Sequence, residues 1–242
     1  GVRHDLPLSA ISRGVAPDKA WKRASFDQAW LIGDTVNASI GQGYVLASPL
    51  QLAVMSARLG TGRVVTPRLI DRIDGEAQPS GLGDKLDVDP KHLALVQKAM
   101  FGVTNVPGGT AFRRRIVADD MQMAGKTGTA QVRQITAAER AAGVIRNEDL
   151  PWARRDHALF VNYAPAHDPK VAVAVVVEYG GSGGAVAAPI ARDVTLFALS
   201  GKMPDVEAYP AADRKRIAQE QLDIAPKLTD WSAPQSGGAD QA

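Results

Sequence analysis

Residues 124–131 read AGKTGTAQ, and the Gly-Lys-Thr inside them invites comparison with a phosphate-binding loop. Such a loop carries a second glycine, separated by four residues from its Gly-Lys pair, so that successive backbone N–H groups wrap the phosphates. Here that position is Asp120, and the run VADDMQMA before Gly125 holds two acids and no glycine. Those carboxylates repel a polyphosphate. A dinucleotide fingerprint fails as well. GGSGGAVA at 180–187 lies between a strand pattern and a helix pattern, but Gly181 and Gly183 would require Gly or Ala where Val186 stands.

Read as a strand, MAGKTGTAQV alternates so that Thr127 and Thr129 share one face while Lys126 and Gly128 share the other. Two hydroxyls and a cation along a strand edge suit a carboxylate, by neutral hydrogen bonds plus charge attraction. Gly128 removes a side chain where a substrate backbone would approach. Lys-Thr-Gly is a short match, and an ordinary turn competes with this reading. The order of the following elements favours the strand.

After it comes a polar excursion, 132–156, with a helical turn near TAAERAA. Two strands follow, HALFVNYAP and KVAVAVVVEYG, joined by a hairpin at AHDP. In the second, Val171, Val173, Val175 and Val177 share a face, and Ala172 and Ala174 form a small-residue face against which a helix can lie close. The helix expected there is APIARDVTLFALSG, lined on one side by Ile190, Val194 and Phe197 and ended by Gly201.

Upstream, residues 1–46 read as an irregular lead-in, pinned by Trp21, Phe26 and Trp30 onto something larger. SPLQLAVMSARLG, 48–60, is a helix with Ser48 as cap, Pro49 at its first position, Gln51 completing a capping box and Gly60 as its stop. An extended stretch, 63–73, and a polar link, 74–88, lead to a second helix over 89–103, with Asp89 as cap and Pro90 in its first turn. The run TNVPGGTAFRRR then loops into the motif strand. The domain reading is a lead-in over 1–46, a main body over 47–201, a helical extension over 202–225 and a disordered tail over 226–242.

Composition excludes more than it selects. The net charge of +2 gives no argument for nucleic acid as a partner, and without cysteine there is neither disulfide nor thiolate chemistry. His4, His92, His157 and His167 lack ligand-like spacing, so no metal and no cofactor is expected. His157, beside Arg154, Arg155 and Asp156, reads as a surface histidine. Trp152 is a candidate for the mouth of a cleft. The glycines of SIGQGY serve backbone conformation.

GDTVNASIGQGYVLASPLQLA, GKTGTAQV and PWARRDHALFVNYAPAHDPKVAVAVVVEYGG together resemble the class B penicillin-binding proteins, and among them the elongation-specific type. The likeness runs from about Trp21 to about Leu199. It implies an α+β fold, the C-terminal portion of a transpeptidase domain of the penicillin-binding/β-lactamase-like kind: an antiparallel sheet flanked by helices, with the site at the sheet edge. It implies a serine D,D-transpeptidase that cross-links peptidoglycan stem peptides at the periplasmic face of the bacterial inner membrane, held by an anchor outside this chain. Implied partners are stem peptides, β-lactams and, in an elongation complex, a membrane polymerase.

The same resemblance assigns catalytic roles to Lys126 and Thr129 and substrate binding to Thr127, Gly128 and Thr129, with the Thr129 N–H as one oxyanion donor. The family's Ser-x-x-Lys and Ser-x-Asn motifs are not found in the chain, which opens on Gly1 and reads as a fragment. Two alternatives stand: a serine β-lactamase or D,D-carboxypeptidase relative, and a non-catalytic truncated or split module that binds a cell-wall polymerase. An isolated fragment is also expected to present an unpaired sheet edge and to lack the helices over one sheet face. Without a serine nucleophile and its lysine, the 242-residue chain should form no covalent adduct with a fluorescent penicillin. Intact-mass spectrometry showing stoichiometric acylation would reveal a nucleophile elsewhere in it.

Overall fold

The computed structural model describes residues 6, 11–79, 81–133 and 135–225. The tail expected from 226 onward lies outside them. The chain forms α1 (Lys19–Phe26), α2 (Ile32–Ser39), α3 (Pro49–Thr61), the short strands β1 (Arg63–Val65), β2 (Arg72–Ile73), β3 (Glu76–Ala77) and β4 (Leu82–Lys85), then α4 (Pro90–Asn105). The motif strand β5 (Ala124–Ala130) follows, then α5 (Ala137–Ala142), β6 (His157–Ala164), β7 (Val171–Val177), α6 (Ala188–Ser200) and α7 (Ala211–Ile224). β1 pairs with β4 and β2 with β3, while β5, β6 and β7 form the main antiparallel sheet in that order.

The sheet is filled on both faces, contrary to the expectation that one would be bare. On one side Ala158 and Phe160 of β6 and the valines 173, 175 and 177 of β7 pack against Ala187, Ala188, Ala191 and Leu196. On the other, Tyr163, Ala124 and Ala172 pack with Leu59 of α3 and Met100 and Phe101 of α4. The assignment of faces therefore reverses the sequence reading. It is α3 that lies on the alanine face of β7, and α6 that takes the valine face by supplying alanines of its own. Ile190, Val194 and Phe197, expected to line the sheet, point away from it and are 43–48% exposed.

Gly60 does not stop α3. A Cβ there would sit 2.7 Å from Tyr163 Cγ, so its glycine is required by the close approach of helix to sheet, and the helix ends at Gly62, with φ +66°. The capping box of Ser48 and Gln51 forms as read. In the lead-in, the expectation of irregular structure is wrong over 19–26 and 32–39. Asp18 caps α1 by accepting from the Trp21 N–H. The buried Lys22 ammonium is paired with Asp34 of α2, and that pairing, with the Leu31 N–H, holds the Asp34 carboxyl below its usual range. Trp21 and Phe26 gather around Tyr44, with centroids 5.1–5.6 Å apart, while Trp30 donates to Thr35 Oγ1. These aromatics pin the lead-in to itself. Such short amphipathic turns lack the repeated period that makes a longer helix legible.

Two polar devices position β5 and α7. Thr104 and Asn105 at the end of α4 both donate to the Met123 carbonyl, at 2.6 and 2.8 Å, one residue before the strand. Arg192 of α6, fully buried, donates to Asp193 and to Asp213 of α7, and lies over the Tyr209 ring at 4.6 Å. Arg114 and Arg216 also face Asp213. Burial alone would raise the Asp213 carboxyl; the Arg192 hydrogen bond and the charges of Arg114 and Arg192 outweigh it and hold it below its usual range. A carboxyl lowered in the folded state stabilises fully above its unfolded value, about 3.8, and loses that contribution as pH falls through the folded one. Asp213→Asn should cost about 3 kcal/mol, as expected when one partner of a buried pair is removed. Urea midpoints against pH should show the variant's deficit shrinking toward the acid end.

Candidate active site

Among the described residues β5 is an edge strand, paired only with β6, in a register that sets Thr127 opposite Phe160 and Thr129 opposite Ala158. Its side chains alternate as the sequence reading requires. Thr127 and Thr129 open into a cavity of about 570 Å³, lined also by Thr110, Arg113, Arg114 and Ser182. Thr110 and Thr127 share a hydrogen bond between their hydroxyls, 2.9 Å apart. Lys126 lies on the opposite face of the strand and does not line this cavity. It is exposed, yet not simply solvated, for its ammonium folds to the free edge and donates to the Thr127 carbonyl at 2.6 Å.

The backbone of that edge is available. The Thr127 carbonyl meets Lys126, and the Thr129 carbonyl accepts from Gln42 Nε2 at 3.4 Å, so both residues turn their main-chain groups away from β6. In a strand the N–H and C=O of one residue point to the same side. The Thr129 N–H is therefore on the free edge, beside the Thr129 hydroxyl. The turn that brings Gln42 there is set between Gly41 and Gly43, both with φ above +70°. The SIGQGY glycines serve conformation as read; the amide they present was missed.

Gly128 has a neighbour that the sequence reading did not foresee. Ser182 caps a π turn, Gly183–Ala187, that runs directly into α6. Its Gly183 rides against the strand: a Cβ there would lie 2.3 Å from the Leu159 carbonyl oxygen and 2.5 Å from that of Gly128. A Cβ on Gly184 would lie 2.4 Å from the Thr110 carbonyl oxygen. The GGSGG run, rejected as a nucleotide fingerprint, is thus the wall of the cavity. Its glycine density was the available signal, since adjacent glycines mark close backbone approach. Thr110 carried no such signal, and Arg113 stands in the FRRRIVADD run, whose three arginines beside the motif strand read as a solvated face with at most a minor pull on an anionic stem peptide.

Trp152 stacks on Tyr179 at 4.4 Å instead of lining the cavity. His157 is half-buried, and its Nδ1 accepts from the Tyr179 N–H at 2.9 Å, which steadies a residue with φ +57°. It acts in the turn after β7, away from the hydroxyl pair.

An edge strand that carries Lys-Thr-Gly, with two hydroxyls turned into one cavity, bears a motif that penicillin-recognising serine acyltransferases share. Residues 9–196 match the family model for the penicillin binding protein transpeptidase domain, and the chain belongs to that family, in its class B, PBP2-type branch. It is 36% identical over 234 residues to the peptidoglycan D,D-transpeptidase MrdA of Haemophilus influenzae, covering 93% of this chain and 35% of that protein. The structure of Pseudomonas aeruginosa PBP2 in complex with WCK 5153 superposes with a TM-score of 0.61 at 37% identity, over 82% of this chain and 42% of that one. The complex of PBP2 and MreC from Helicobacter pylori gives 0.63 at 30%, over 81% and 33%. The chain spans about a third of the length of the curated relatives it matches.

Gly183→Ala should push the π turn off β5. Overpacking of this kind costs about 1–3 kcal/mol, to be read from a thermal melt, and hydrogen exchange should rise at the amides of 127–129.

Proposed function

We infer that this chain carries the peptide-recognition edge of a peptidoglycan D,D-transpeptidase. The observation that carries the reading is the free edge of β5, with the Thr127 and Thr129 hydroxyls in one cavity and the Thr129 N–H beside them. An extended stem peptide adds along that edge as a further strand, gaining main-chain hydrogen bonds, and its terminal carboxylate accepts from the two hydroxyls. Gly128 keeps the strand slim where the ligand backbone passes.

The full reaction has two acyl transfers. A serine oxygen attacks the carbonyl of the penultimate D-alanine, the peptide bond breaks, and the terminal D-alanine leaves as the free amine after taking up a proton. An amine of a second stem peptide then displaces the serine and forms the cross-link. No Ser-x-x-Lys occurs in these 242 residues, and our reading takes that serine from outside this chain. Within this chain, the Thr129 N–H serves the developing oxyanion, a role worth roughly 10²–10³ in rate where one such donor has been removed. Lys126, on the other face of the strand, supplies positive charge toward the serine and assists its proton transfers. β-Lactams occupy the same edge as stem-peptide mimics.

The relatives' names support a place in cell-wall synthesis, and two solved neighbours, PBP2 in complex with MreC and a peptidoglycan synthase complex that coordinates polymerization and crosslinking, support our reading of an elongation assembly with a membrane polymerase as the setting. Such work places the domain on the periplasmic face of the inner membrane. Among the described residues no helix is long and apolar enough to cross a membrane.

Titrating the ¹⁵N-labelled chain with N-acetyl-D-Ala-D-Ala should shift amides within 109–114, 126–130 and 182–185. Thr127→Val should weaken binding roughly five- to tenfold, the worth of one net hydrogen bond. Equal binding of the L-Ala-L-Ala peptide, or shifts scattered over α1 and α7, would overturn the reading.

A further inference from the structure

The cavity beside β5 is larger than a carboxylate slot requires, and its charge does not come from the lysine of the motif. Strand alternation puts Lys126 on the far face, where its ammonium is engaged by the Thr127 carbonyl. Two cations do line the cavity with the hydroxyls of Thr110, Thr127, Thr129 and Ser182, and no carboxylate does. They differ. Arg114 donates to both oxygens of Asp213, at 3.1 and 3.2 Å, so its charge is already partnered. Arg113 stands one residue earlier in the same 3-10 turn, Phe112–Arg114. It is exposed, and among the described residues its guanidinium has neither a hydrogen bond nor an ion pair.

Arg113 brings a planar fork of five donors to a cavity lined also by four hydroxyl residues and, among the described residues, by no acid, and such a fork matches a carboxylate better than any neutral group. We propose that Arg113 is the cationic anchor of this cavity and sets its preference for ligands bearing a free carboxylate, with Thr127 and Thr129 orienting the same group. The loop after Gly109 thereby becomes a specificity element for the strand that follows it. Thr110 positions it from within: its hydroxyl holds that of Thr127, so the arginine and the strand hydroxyls address one anion from two sides. The turn is tied down independently, through Arg114 and Asp213 to the buried Arg192, so the fork of Arg113 is carried on a fixed base.

The proposal rests on the reading of β5 as a peptide-recognition edge, and the test separates the two. Affinities of N-acetyl-D-Ala-D-Ala and of its C-terminal carboxamide are measured by NMR titration on the 242-residue chain, in wild type and in Arg113→Gln, Arg113→Lys and Arg115→Gln. Arg115 stacks on Phe112 and does not line the cavity, so its substitution removes the same charge from outside. Wild type should prefer the acid roughly 10- to 100-fold, the range of a hydrogen bond to a charged group. Arg113→Gln should erase most of that preference by weakening the acid alone, Arg113→Lys should restore part of it, and Arg115→Gln should keep it. The preference should also fall with added salt. Retention of the full preference in Arg113→Gln, or a larger loss in Lys126→Gln, overturns the assignment while leaving the recognition edge standing. If wild type binds neither peptide, the edge reading fails and this proposal with it. Unchanged thermal midpoints in the arginine variants keep loss of fold from imitating either result.

Discussion

The seam between β5 and β6 is the interaction on which the rest depends. Seven consecutive residue pairs, from Ala124 with Tyr163 to Ala130 with His157, fix the motif strand in one register. Because side chains alternate with period two, a slip of one residue would exchange Lys126 for the threonines on the cavity face and destroy the site while leaving the sheet intact. Three features resist that slip. Tyr163 is held under Gly60 of α3, Phe160 and Ala158 are fully buried on the α6 side, and Asn162 donates to Thr195 inside the core. The chemistry at the edge is precise because the middle of the sheet has no second way to pack.

Much of this was legible from one dimension. The strand at 124–130, the hairpin that follows, the two longer capped helices and the Thr127/Thr129 alternation come from local signals: period, caps and turn residues. What escaped is information that exists only between segments. Gly60 reads as a stop signal until Tyr163 is seen against it. Valine and alanine faces of β7 can be sorted from sequence, but which helix covers which depends on where small residues sit on the partners. Ile190, Val194 and Phe197 keep helical spacing and look like a core stripe, while the true inner face of α6 is carried by Leu196 with alanines, Thr195 and the buried Arg192, a mixture in which hydropathy alone shows no stripe.

The site divides the same way. Lys126, Thr127, Gly128 and Thr129 are contiguous, so a motif finds them; Thr110, Arg113, Ser182 and Gln42 arrive from three other loops, Thr110 and Gln42 reaching their partners Thr127 and Thr129 across 17 and 87 residues. Their convergence surrounds a strand of ordinary composition with groups from distant parts of the chain, so the character of the cavity is set between segments and not within the motif.

The sheet order β5-β6-β7 leaves a second open border along β7, whose sequence from Val171 to Val177 is entirely valine and alanine. The two borders are unlike in temperament. The first carries a lysine, threonines and glycines, which discourage indiscriminate pairing; the second has no charge, proline or bulge to blunt it. Copies of this chain handled in isolation are expected to seek one another through that aliphatic ribbon, and since both faces of β7 are covered, its backbone border is the part left to pair.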